Sequence, residues 1–267
     1  MPDTNAKSDV PVIAMRGVTV NAQRHPSTVV AKEVDWTVQA GEVWVVAGPQ
    51  RSGKSDLLML AGGLTGPAAG TYHFLGEPMP IFEEDRLTHR LKLSFAFDGG
   101  QLFNRMTLAE NVALPLRYHH GMSRTEAEPR VRELLEATEL TPLARTRPPN
   151  VARNWQKRAG LARALALRPT LLLADNPLSG LDARHTAWWL NFLEQLRAGH
   201  SLMGGQSMTI VITCDDLSRV AGGLRGGHYA VMNDGKFEIV GPSEQLYASR
   251  DARVKELLTG EIVAPTD

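Results

Sequence analysis

The eight residues Gly48-Pro49-Gln50-Arg51-Ser52-Gly53-Lys54-Ser55 constrain this chain more than any others. They repeat the spacing glycine, four residues, glycine, lysine, serine, between the short apolar run VWVVAG and a helical pattern from Asp56 to Leu60. The spacing has a chemical reason. Gly48 and Gly53 let the backbone turn so that successive N–H groups and a helix N-terminus point at phosphates. Lys54 then reaches the β- and γ-phosphates, and the Ser55 hydroxyl ligates Mg²⁺. A glycine-rich turn of this spacing arises by chance in roughly a few per cent of chains this long, and the apolar run before it and helix after it lower that figure. The nucleotide site expected from the sequence therefore runs from Gly48 through Ser55 to Asp56.

Around this loop the pattern is mixed α/β. VIAMRGVTV and VVAKEVDWTV alternate apolar and polar residues as strands of a half-exposed sheet do, while LKLSFAF, TLLLAD and MTIVIT are short apolar runs of buried strands. Between Thr107 and Arg145 helical periodicity is broken at Gly121 and Pro142, which predicts a helical lobe. A helix is expected over Arg158 to Leu167, ended by Pro169, and another over RHTAWWLNFLEQL. YAVMNDGKFEIVG reads as a hairpin turning at Asp234-Gly235, and residues 1–10 as a disordered start.

The counts of Lys plus Arg and of Asp plus Glu are equal, 29 each, so there is no general basic face to neutralise nucleic-acid phosphates, and no nucleic-acid partner is expected. No stretch approaches the roughly 18 to 20 apolar residues of a membrane span, and the polar start lacks a signal-peptide core. A single cysteine, Cys214, permits no internal disulfide. These features predict a cytosolic protein that meets membranes only through a partner.

LARALALRPTLLLAD, followed by NPLSGLD, MTIVITCDD and NDGKFEIVG, resembles the signature-helix, Walker B, switch and closing segments of ATP-binding cassette (ABC) transporter nucleotide-binding domains. The resemblance spans nearly the whole chain, and Ser179 to Asp182 resembles an intact D-loop. FAFDGGQLFNRMTLAENVALPL and VKELLTGEI are most similar to ATPases of bacterial lipid-transport systems that work with mammalian-cell-entry proteins. The resemblance implies a P-loop NTPase with a RecA-like core, an antiparallel β subdomain and an inserted helical subdomain at about residues 100–165, the whole domain covering residues 11–262. It also implies ATP and Mg²⁺ as cofactors, with Ser55, Asp175 and Asp98 as metal-side residues. As partners it implies integral membrane permease subunits and a homo- or heterodimer of nucleotide-binding domains, placing the chain at the inner face of the cell membrane.

The chain departs from that family where hydrolysis is performed. Asp175 is followed by Asn176 in place of the glutamate that polarises water, and an amide is no general base. The sequence sets Cys214, a weak donor, at the position of the switch histidine. Asp98 replaces the Q-loop glutamine. Val151 to Trp155 replaces the LSGGQ signature without its glycines and serine. Ala22 falls where an aromatic ring stacks on adenine, an interaction worth about 1 to 3 kcal/mol by analogy with other base stacks. Because catalytic groups act as a unit, losses of this kind lower turnover by roughly 10³ or more. Two readings follow: an ATP-binding transporter subunit with impaired hydrolysis, or a pseudo-ATPase that senses nucleotide or scaffolds without a permease. An apolar patch beside the helical lobe separates them in favour of the first. His119-His120 lacks a nearby third ligand and is read as solvated loop, and Trp188-Trp189 with Phe192 as helix packing.

Overall fold

The computed structural model describes residues 10–81, 83–224 and 226–259. In chain order the strands β1 (Ile13–Asn21), β2 (Val29–Val38) and β3 (Val43–Ala47) precede helix α1 (Lys54–Ala61). Then come β4 (Ala69–Phe74), β5 (Glu77–Pro78), the single turn α2 (Leu87–Arg90) and β6 (Leu93–Ala96). Three helices, α3 (Leu108–His119), α4 (Arg124–Ala137) and α5 (Arg153–Ala164), separate β6 from β7 (Leu171–Ala174). The chain closes with α6 (Ala183–Ala198), β8 (Thr209–Cys214), β9 (His228–Asn233), β10 (Lys236–Pro242), α7 (Ser243–Ala248) and α8 (Ala252–Thr259). Only Val10 of the ten residues expected to be disordered lies among those described.

Two sheets form. An antiparallel sheet runs β2-β1-β4-β5, and a six-stranded sheet runs β10-β9-β3-β8-β7-β6, in which β9, β3, β8, β7 and β6 are parallel and β10 antiparallel. Every residue of β3, β7 and β8 is buried, which is why these strands read as unbroken apolar runs. β1 instead faces water on one side, and its buried Ile13, Met15, Val18 and Val20 meet Trp36, Trp44 and Leu57 between the sheets. Helix α1 therefore lies against residues of both sheets, and the loop before it opens at the carboxyl ends of the parallel strands. Ligands of open α/β sheets bind at that edge.

The helices between β6 and β7 begin cleanly. The Thr107 hydroxyl accepts the Glu110 N–H at 3.2 Å while the Glu110 carboxylate accepts the Thr107 N–H at 2.8 Å. Ser123 and Glu126 repeat the same reciprocal cap at α4. The structure moves α5 relative to its sequence expectation of Arg158 to Leu167. It starts at Arg153, because Ala152 is extended (φ −61°, ψ 149°) and Arg153 onwards is helical, and it ends at Ala164 ahead of Arg168, whose φ is +53°. Part of the stretch expected at the signature position, Arg153 to Trp155, thus supplies the first turn of the helix. At the β9–β10 hairpin Asp234 and Gly235 both have positive φ, 49° and 75°, as the tight turn expected there requires.

Candidate functional site

The phosphate loop joins β3 to α1. Gly53 takes φ +94° and is the N-cap of α1, so no side chain accepts the first N–H groups of the helix. At Gly48 a Cβ atom would lie 2.1 Å from the Met232 carbonyl oxygen, which only glycine tolerates. Lys54 is buried, and its ammonium donates to the carbonyls of Gly48 and Pro49, both at 2.7 Å. Burial pulls the Lys54 pKa down, opposed mainly by the carboxylate of Asp215, 3.7 Å from Nζ. Pro49, Gln50 and Arg51 form the exposed crest of the loop, with Ser52 half-buried behind them. Asp56 faces the other way and accepts the Gln23 N–H at 2.8 Å. That bond pins residues 22–28, a turn closed by Ala22 N–H to Thr28 O at 2.8 Å, beside the first turn of α1. Ala22, expected at the adenine position, is therefore near the loop but offers only a methyl group.

Strand alternation decides which residues of β7 and β8 meet this loop. Leu172, Ala174, Ile210, Ile212 and Cys214 point into the cluster that holds Trp189 and the helices. Leu173 and Val211 point toward α1, and Asp175, Thr213 and Asp215 continue that side. The Ser55 hydroxyl donates to Asp175 at 3.0 Å, and the Thr213 hydroxyl donates to the same carboxylate oxygen at 2.7 Å. Thr213 in turn accepts the Asn176 N–H at 2.8 Å. Asn176 sits in left-handed backbone (φ 46°), and its amide nitrogen donates to both oxygens of Asp215, at 3.1 and 3.3 Å.

Cys214, expected at the switch position, ends β8 with its side chain buried. Cys214 is 4% exposed and its thiol is pushed up to about 12, chiefly by burial, so it remains a protonated core side chain. The residue that reaches both Lys54 and Asn176 is Asp215. Sequence reasoning did not single it out. The available signal was the acidic pair itself: Asp216 accepts the Ser218 N–H and so starts the next turn, while Asp215 faces the phosphate loop at the strand end.

Asp98 is held by cations. Its two oxygens lie 3.1 Å from Arg153 Nη2 and 3.0 Å from Lys157 Nζ, so the carboxylate expected beside the metal is engaged by α5. Lys157 is 3% exposed, and its ammonium also donates to the carbonyls of Asn176 and Ser179, both at 2.9 Å. One buried lysine thus ties the loop after β6 to the loop after β7. The backbones meet just as closely: a Cβ on Gly160 would lie 2.6 Å from Gly100 Cα, and one on Gly100 would lie 2.3 Å from Gln156 O. Arg163 completes this seam by donating to Gly100 O at 2.8 Å and Gln101 O at 3.0 Å.

Within the stretch expected at the signature position, Asn154 and Trp155 pack toward His185. Asn154 hydrogen-bonds His185 Nε2, and Arg158 donates to His185 Nδ1 at 3.0 Å. Since guanidinium can only donate, Nδ1 is the acceptor in the contact with Arg158. Arg158 lies 4.6 Å from the centre of the Trp155 ring and 3.7 Å from that of Trp188, and pairs with Glu139 at 2.6 Å. Stacking of this kind braces α5 against α6. Trp188 is therefore a cation platform, while Trp189 and Phe192 are core.

A groove opens on the far side of the β6–α5 seam, lined by Phe95, Phe97, Phe103, Leu114, Pro115 and the stem of Arg163 among others. Phe103 is 54% exposed at its rim. Among the described residues no helix is long and apolar enough to cross a membrane, and no group of three or more His, Cys, Asp or Glu is arranged to hold a metal ion.

Residues 31–179 match the family model described as ABC transporter. The chain is 32% identical over 228 residues to the intermembrane phospholipid transport system ATP-binding protein MlaF of Escherichia coli K12, covering 85% of this chain and 82% of that one. It is 33% identical over 244 residues to the methionine import ATP-binding protein MetN of Nocardia farcinica, covering 91% and 70%. A dimeric post-hydrolysis structure of the ATP-binding cassette MJ0796, bound to ADP and Pi, superposes with a TM-score of 0.73 at 28% identity, covering 85% of this chain and 98% of that one. The fold is also that of cbiO1 from Clostridium perfringens, with a TM-score of 0.75 over 94% of this chain and 96% of the other at 20% identity. The chain belongs to the ABC transporter family and has the fold of its ATP-binding cassettes.

Proposed function

We propose that this chain is the ATP-binding subunit of an ABC-type transporter for a lipid or another hydrophobic substrate, and that it works mainly by binding Mg-ATP rather than by turning it over. One observation carries the reading. The loop that holds phosphates is complete, yet the residue after Asp175 is an amide fixed between Asp215 and Lys157. The site can hold a nucleotide and lacks a base at position 176 to activate water.

The residues fit the cofactor. The uncapped N-terminus of α1 and the left-handed Gly53 leave backbone donors for phosphate oxygens. The Ser55 hydroxyl and Asp175 carboxylate, 3.0 Å apart, are the hard oxygen ligands that Mg²⁺ takes. When bound, the metal would neutralise phosphate charge. Lys54 would trade carbonyl partners for phosphate, and Asp175 would keep Ser55 oriented. Asp98 is placed one step back, holding Lys157 and Arg153.

The groove with exposed Phe103 at its rim favours a subunit that docks on an integral membrane permease over a free-standing scaffold, because exposed apolar surface of this kind marks interaction sites. Resemblance to MlaF supports a lipid substrate, and the dimeric MJ0796 structure supports pairing with a second cassette, a copy of itself or a related chain. On this reading the chain sits at the inner face of the membrane. Copurification with its permease, followed by ATPase measurement, tests the proposal. A complex turning over at about 1 per second or faster, the rate of an ordinary enzyme, would refute it.

A further inference from the structure

A pocket of about 260 Å³ opens at the other edge of the parallel sheet, where the chain enters β7 and β8 rather than where it leaves them. One wall comes from residues just ahead of β7 and the other from the loop between α6 and β8. Its floor is apolar, with Pro169, Met203 and Met208 buried. Its rim is polar: Arg168, Gln206 and Ser207 are exposed, and no carboxylate lines it. Arg168 is held in left-handed backbone, φ +53°, directly ahead of a proline, a conformation that side-chain-bearing residues seldom take. Both sides of the Leu202 peptide are gripped there: Arg168 Nε donates to its carbonyl at 3.3 Å, and His200 Nδ1 accepts its N–H at 3.0 Å. The wall and the guanidinium are thus set relative to each other before any ligand arrives.

The donors left over decide what the pocket can take. Arg168 forms no ion pair among the described residues, and its one side-chain hydrogen bond uses Nε, which leaves the terminal nitrogens of the fork. The hydroxyls of Thr170 and Ser207 give their hydrogens to Lys92 O at 3.0 Å and Arg197 O at 2.6 Å, so toward the pocket they can only accept. The Gln206 carboxamide is the other side-chain donor on the rim. A second guanidinium adds its field: burial and then the charge of Arg168 pull the Arg130 pKa down, while Arg130 itself is committed to Leu165 O at 2.8 Å and Glu133 at 3.3 Å. One free planar fork matches the two oxygens of a carboxylate and falls short of the three of a phosphate. An apolar floor with few polar groups is the usual make-up of a small-molecule site. We propose that this pocket binds a small organic carboxylate, its oxygens on the Arg168 guanidinium and its apolar body on Met203 and Met208. The site stands apart from the phosphate loop and does not depend on how that loop is read.

Methyl NMR of the full chain carrying ¹³C-methionine, titrated with butyrate, tests this, with the two floor signals identified by Met203→Leu and Met208→Leu. Both signals should shift and saturate with a dissociation constant of about 1 mM, within reach of so small a ligand. Met232, whose methyl lies beside Gly53 in the phosphate loop, should stay still. 1-Butanol, with the same body and no charge, should bind at least about 10-fold more weakly, and Arg168→Gln should weaken butyrate by about the same factor. Arg168→Lys keeps the charge without the fork and should lose less. Butanol binding as tightly as butyrate would make the pocket a bare apolar hollow and overturn the proposal. So would floor signals that fail to saturate by about 20 mM butyrate, well above the expected constant, or an Arg168→Gln chain with unchanged affinity. Inorganic phosphate moving the Met203 and Met208 signals at lower concentration than butyrate would overturn the choice of a carboxylate.

Discussion

Replacing Lys157 by methionine keeps the aliphatic stem and removes the ammonium that joins the loop after β6 to the loop after β7. Two hydrogen bonds of 2.9 Å, to the carbonyls of Asn176 and Ser179, are lost along with the 3.0 Å pair to Asp98. Hydrogen bonds to a charged group are worth about 1.5 to 3 kcal/mol each, so the two carbonyl bonds contribute about 3 to 6 kcal/mol. Removing the ammonium also relieves its burial penalty, the cause that lowers the Lys157 pKa, and this offsets about 1 to 3 kcal/mol. Asp98 retains Arg153, and a pair at that exposure contributes about 1 kcal/mol or less. The net expectation is a loss of about 3 kcal/mol, or roughly 6 to 10 °C in Tm for a domain this large. Urea unfolding followed by fluorescence measures it, with an unchanged slope showing that the unfolded state is the same. Arg153→Met is the control: Arg153 is 68% exposed, and its loss should cost less than about 0.5 kcal/mol. A Lys157→Met loss below about 1 kcal/mol, or one equal to that of Arg153→Met, would refute the claim that this lysine locks the site's loops together.

Cys214 should resist a thiol reagent in the folded chain at pH 8 to 9 and react fully in denaturant, because burial raises its pKa to about 12. Since the protonated form is favoured by folding, the stability this provides is complete below the free thiol's pKa of about 8.5 and declines as pH rises toward 12. Thr107→Ala should cost about 1 kcal/mol in urea unfolding. The Thr107 N–H bond holds the Glu110 carboxyl below its usual range, so the cap's contribution is present above that range and is lost as pH falls. Gly100→Ala combines a strained φ of +80° with a Cβ 2.3 Å from Gln156 O, and should cost more than about 2 kcal/mol. A neutral result in thermal unfolding would mean that the contact with α5 is looser than described.

Much of the architecture was legible because its strands are short apolar runs between turn residues, and the phosphate loop because its spacing has a single geometric purpose. The limits of α5 were not. Arg153, Asn154 and Trp155 carry no helical stripe of their own, and their helix is set by tertiary partners, Asp98, His185 and Arg158. Cys214 was expected at the switch from its place in the chain, and a residue-by-residue match cannot see which face of β8 its side chain occupies. Burial of Cys214 against the helix-side cluster turns Asp215 toward Lys54. The pairing of Asp98 with Lys157 lay beyond reading from pattern, since it joins residues 59 positions apart through a buried ammonium.

The seam at Arg163 gives the apolar groove an electrical consequence. The stem of this arginine lines the groove while its guanidinium holds the carbonyls of Gly100 and Gln101, two and three residues from Asp98. From Asp98 the contacts run without a gap through Lys157, Asn176 and Asp215 to Lys54, no link longer than 3.7 Å. A body pressed into the groove would therefore bear on one end of a continuous line of polar contacts whose other end is the phosphate lysine.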